Sequence, residues 1–140
     1  MTTVPTTAST HAIPRRDGLL RGALTVDGAF VALASLALAP FAAQASTATG
    51  IPASMLLATA AVMLPYGLYL LWSTRDPQHA RAAGRVAVAA DSVWIILTLL
   101  VLALGIWPLT SSGWWVLVIG AFGVADLGIA TIFGLRRAQR

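Results

Sequence analysis

Two long charge-free windows limit what this chain can fold into. No Asp, Glu, Lys or Arg occurs over residues 28–74, and after Asp91 none occurs until Asp126. Each window exceeds the ~20 apolar residues that cross a bilayer core. Water-soluble domains carry charge at ~25% of their positions, whereas here 10% of residues are charged and 58% are hydrophobic. The chain is therefore expected to be an integral membrane protein. Because hydrocarbon cannot satisfy open backbone groups, its spans are expected to be helices.

Prolines, glycines and charges divide the windows into four spans, expected over residues 19–41, 53–72, 85–107 and 114–135. Pro40 and Pro52 bound a polar connection, AAQASTATGI, where one helix would end and the next begin. Residues 73–84, STRDPQHARAAG, read as a charged turn, and PLTSSG over 108–113 reads as a tight uncharged one. Pro65 lies inside the second span and is expected to kink it. Residues 1–18, rich in Thr, Ser and Pro, read as a disordered cytoplasmic tail, and 136–140 as a short basic one. A basic stretch, an apolar run and Ala43-Gln44-Ala45 imitate a cleaved signal peptide. Asp27 interrupts that run, which is also longer than a signal core of ~7–15 residues.

The spans form a repeat. Shifting residues 21–39 onto 85–103 superposes Arg21 on Arg85, Asp27 on Asp91 and Phe30 on Trp94, with 7 identities over 19 positions. The expected fold is all-α, a transmembrane four-helix bundle built from two hairpin repeats.

Charge then orients the bundle. All nine Lys or Arg residues are Arg, and they fall in the amino tail, the middle turn, the carboxyl tail and the span ends next to them, Arg21 and Arg85; the other two connections hold none. The positive-inside rule places both termini in the cytoplasm of a cell whose plasma membrane holds the chain. Trp107, Trp114 and Trp115 mark the outer boundary and Trp72 the inner one, as interfacial aromatics do.

Three acids lie inside the spans. At ~1.5 Å per residue, Asp27 and Asp91 sit ~9 Å from Arg21 and Arg85, and Asp126 sits ~15 Å from Arg136. An acid at mid-span costs up to ~3 kcal/mol on the insertion scale, against ~0.3–0.6 gained per Leu or Ile. Helical spacing gathers small and polar residues around them: Gly84, Asp91, Thr98 and Gly105 on the third span, Thr59, Tyr66 and Ser73 with Tyr69 on the second. Gly120, Gly123, Asp126, Ala130 and Gly134 share a broad face of the fourth. Asp27, Asp91, Asp126, Tyr66, Tyr69 and Thr98 are thus expected to form one intramembrane polar cluster. It is either a set of helix-packing hydrogen bonds, with Ser92 among the donors, or a proton or cation site. No catalytic nucleophile, metal-ligand cluster or cofactor motif accompanies it, and with no Cys the chain has no thiol chemistry. His11 and His79 read as solvated surface residues.

The early Asp of the first span, the Asp91-Ser92-Val93-Trp94 segment, IWPLTSSGWW as outer turn and GLRRAQR as tail resemble the uncharacterised small four-span integral membrane proteins common in actinobacteria. That resemblance implies a multi-pass bundle and brings no activity or site residues with it. Small multidrug-resistance transporters are similar in size and span count, and Asp27 would stand for their first-span Glu. The expected function is a non-enzymatic structural or complex-forming membrane subunit. Its partners are the lipid bilayer and a homo-oligomer or another membrane protein, not nucleic acid. The alternative is a small proton-coupled carrier of an organic cation that uses the intramembrane aspartates.

Overall fold

Each expected span becomes one helix, and the helices are longer than the spans expected from sequence. The computed structural model describes residues 18–138, which form α1 (Gly18–Thr49), α2 (Ala53–Ser73), α3 (Pro77–Leu104) and α4 (Ser111–Ala138). The tail expected over residues 1–18 lies, except for Gly18, outside the described residues. All four helices are long and apolar enough to cross a membrane, so the chain is a multi-pass membrane protein with an all-α, four-helix fold.

Two boundaries differ from the sequence expectation. Pro40 lies inside α1, which continues to Thr49, so the polar connection shrinks to three residues, 50–52. The hydroxyls expected to solvate a loop instead bond helix carbonyls: Thr47 Oγ1 donates to Gln44 O at 2.8 Å and Thr49 Oγ1 to Ala45 O at 2.6 Å. At the middle turn, Asp76 caps α3 by accepting from the N–H of Gln78 at 2.7 Å and of His79 at 3.4 Å, and Pro77 opens the helix. Proline suits that position because its missing N–H would have no helical acceptor there. Most of the segment expected as a charged turn is therefore the first turns of α3. At the other end α3 stops at Gly105, whose φ of 58° is the left-handed conformation that glycine adopts without strain.

Contacts fix the arrangement. A Cβ on Gly84, near the start of α3, would lie 3.1 Å from Leu20 of α1 and 3.1 Å from Leu135 of α4. At the far end Thr110 N–H donates to Thr49 O at 3.1 Å and Thr110 Oγ1 to Ala48 O at 2.6 Å. Neighbouring helices thus run antiparallel, with α1 touching all three others and packing most extensively on α2. Arg21, Arg75, Arg81, Arg85 and Arg136 consequently share one end of the bundle, while Trp107, Trp114 and Trp115 share the other.

The bundle is built with small residues inside and large ones outside. Leu20, Leu24 and Leu70 with Ala80, Ala83 and Ala87 form a buried core near the arginine end, joined by Tyr66 and Leu135. Phe30, Leu33, Leu104, Ile119 and Phe122 are among the large side chains that point outward. Lipid tails are as apolar as Leu, so such a surface is at home in a membrane, and helix association relies on close packing.

Candidate functional site

Glycines let α1 and α2 approach backbone to backbone just above that core. A Cβ on Gly28 would stand 2.8 Å from Gly67 O, and one on Gly67 would stand 2.8 Å from both Gly28 O and Ala32 N. Asp27 precedes one of these glycines and Tyr66 the other, so the packing that closes the helices also fixes both polar side chains at one level. From α3, Asp91 reaches toward α4, where a Cβ on Gly128 would lie 3.4 Å from Asp91 Oδ2.

These three side chains form one electrostatic neighbourhood. Tyr66 lies within coulombic range of Asp91 and Asp27, and Asp91 within that of Asp27. Asp27 is only 4% exposed. Asp27 Oδ2, Tyr66 Oη and Asp91 Oδ2 are all buried without a hydrogen-bond partner, although leaving a buried polar atom unpaired costs ~1–3 kcal/mol. Three helices thus each contribute one unsatisfied oxygen.

The other expected members stand apart. Thr98 is buried farther along α3, 5% exposed, seven residues beyond Asp91. Tyr69 is exposed on α2. Asp126 is exposed as well and lies on the outside of the bundle, which corrects the expectation that three acids converge. The α4 face that packs inward carries Gly128, Thr131 and Gly134, while Gly120 and Gly123 have open space around them. The expected hydrogen-bonded fastening is corrected too. Ser92 Oγ donates to Val88 O of its own helix at 2.7 Å and is exposed, so it does not serve Asp91.

Asp126 occupies the middle of an apolar outer face. At ~100° per residue, Trp115, Ile119, Phe122, Ile129 and Phe133 surround it, and all five are exposed. Sequence reasoning missed this because glycines and alanines lie on both sides of α4, so their spacing alone does not distinguish the side facing helices from the side facing lipid.

Among the described residues, no group of three or more His, Cys, Asp or Glu side chains is placed to hold a metal ion. A shallow cleft of about 320 Å³ lies at the tryptophan end, lined by Leu109, Thr110, Ser111, Trp114 and Trp115, away from the acids. Comparison with protein-family models, curated proteins and solved structures finds no match to this chain.

Proposed function

We propose that this chain is a non-enzymatic, complex-forming subunit of the plasma membrane, with both termini cytoplasmic, and that the outer face of α4 joins a second membrane protein. Asp126 carries this reading. A lipid-facing acid near mid-span costs ~2.5–3.5 kcal/mol on the insertion scale, and among the described residues no hydrogen bond or ion pair relieves that cost at the exposed Asp126. A partner helix with Lys, Arg or His at the same depth relieves it and supplies specificity. A second copy joined through this face would set acid against acid, which disfavours a homodimer there. Gly120 and Gly123, open on the same helix, leave room for close approach.

The absence of Cys makes the test direct. Single cysteines at Phe122 and Ile129 are cross-linked in native membranes and the adducts sequenced. The expected result is an adduct to a membrane protein with a basic residue in its span, lost in Asp126→Leu while the isolated variant becomes more heat-stable. An adduct that survives Asp126→Leu at full yield, or one made only of two copies of this chain, contradicts the proposal.

A further inference from the structure

The interior of the bundle carries a separate problem of charge. Asp27 and Asp91 are two carboxylates within electrostatic reach of each other, and among the described residues no basic side chain acts on either. Along the chain, Arg21 and Arg85 lie six residues away toward the bundle end (27 − 21 and 91 − 85), and Arg85 is exposed. The charged and titratable groups facing the site are Asp27 from α1, Tyr66 from α2 and Asp91 from α3. From α4 the facing residue is Gly128, which brings no charge.

We infer that Asp27, Tyr66 and Asp91 form a binding site for a small monovalent cation such as sodium, held between α1, α2 and α3. Their buried, unpartnered atoms are all oxygens, the donor type that hard cations take. Asp27, nine-tenths buried and more, cannot turn to water to satisfy Oδ2. One monovalent cation together with one retained proton leaves the carboxylate pair neutral. A divalent ion would balance the charges only with both carboxylates ionised, which burial disfavours, whereas a monovalent ion lets one acid keep its proton, with backbone or water oxygens completing the ion's shell. The Gly28–Gly67 backbone contact and the approach of Gly128 to Asp91 leave more room for a bare ion than for an organic cation. This site is independent of the Asp126 face, so either can fail alone.

The test uses the purified full chain in lipid nanodiscs, with thermal unfolding followed at rising sodium chloride and at matched choline chloride, pH 8. The expected result is a saturable rise in Tm of at least ~3 °C with sodium and none with choline. Asp27→Asn and Asp91→Asn are each expected to abolish the rise, and Asp126→Asn to retain it. If Asp27→Asn does not fold, Tyr66→Phe keeps both acids and is expected to shift the saturation midpoint to several-fold higher sodium. Sodium-23 NMR line broadening reads the same binding without unfolding the protein. Equal rises with choline, a rise with calcium in place of sodium, an unchanged response in Asp27→Asn, or an unmoved midpoint in Tyr66→Phe would each overturn the assignment.

Discussion

Gly28 of α1 and Gly67 of α2 meet reciprocally: a Cβ on either would stand 2.8 Å from the other's carbonyl oxygen. Both obstacles are backbone, which cannot rotate aside as a flexible side chain can. Gly28→Ala or Gly67→Ala is therefore expected to destabilise the bundle by ~1–3 kcal/mol through overpacking, despite alanine's better helix propensity of ~1 kcal/mol. Gly22→Ala is the control, since nothing lies within 4 Å of its added Cβ. Unfolding in mixed detergent micelles measures the difference, and equal stability of all three variants would contradict the close approach.

The tryptophan end is fastened through Thr110. Its hydroxyl donates to Ala48 O at 2.6 Å and accepts from Gly113 N–H at 3.0 Å, capping α4 and tying it to α1. Thr110→Ala is expected to cost ~1–2 kcal/mol, a cap of ~1 plus part of a hydrogen bond. Thr110→Ser is expected to recover most of it. Paired unfolding curves check this, and a Ser variant as weak as the Ala variant would count against the bonding scheme.

Asp76 makes a pH-dependent cap. The N–H of Gln78, assisted by that of His79, holds its carboxyl below the ordinary carboxylate range, with desolvation opposing. A folded-state pKa below the unfolded ~3.9 contributes stability above that pH and loses it as pH falls through the folded value. Asp76→Ala is thus expected to lower Tm at neutral pH, and its gap from wild type is expected to close as pH drops below ~4. Tm scans from pH 7 to pH 2.5 follow the gap, and a constant gap would exclude an ionised cap.

Much of this was legible in the sequence, and the parts that were not have a common cause. Charge-free windows announced four helices, and the arginines announced which ends lie together. Asp27, Tyr66 and Asp91 were singled out in the sequence because each accompanies small residues that permit close contact, and the structure leaves one buried oxygen of each unpaired. Asp126 was misread for the same reason, since Gly120 and Gly123 beside it are small yet face outward. In water, polarity separates the outer face of a helix from the inner; in lipid both are apolar and the contrast vanishes. Pro40 misled similarly, because a membrane helix can pass through a proline that would end a soluble one.

The arginine end is expected to face the cytoplasm. Single cysteines at Thr47 and Ser112, exposed at the tryptophan end, and at Gln78, exposed at the arginine end, are treated with a membrane-impermeant thiol reagent on intact cells. Labelling is expected at Thr47 and Ser112 only. Labelling at Gln78 without permeabilisation would reverse the orientation.

The most direct test of the whole account compares positions 27, 91 and 126 by spin labels on single cysteines in the purified chain in nanodiscs. Collision with oxygen dissolved in the lipid reports which side of a helix each occupies. The structure requires high oxygen access at position 126, matching Ile119 and Phe122, and low access at 27 and 91. Low access at all three, or high access at 27, would mean that the acids are not divided between an interior site and an outer face.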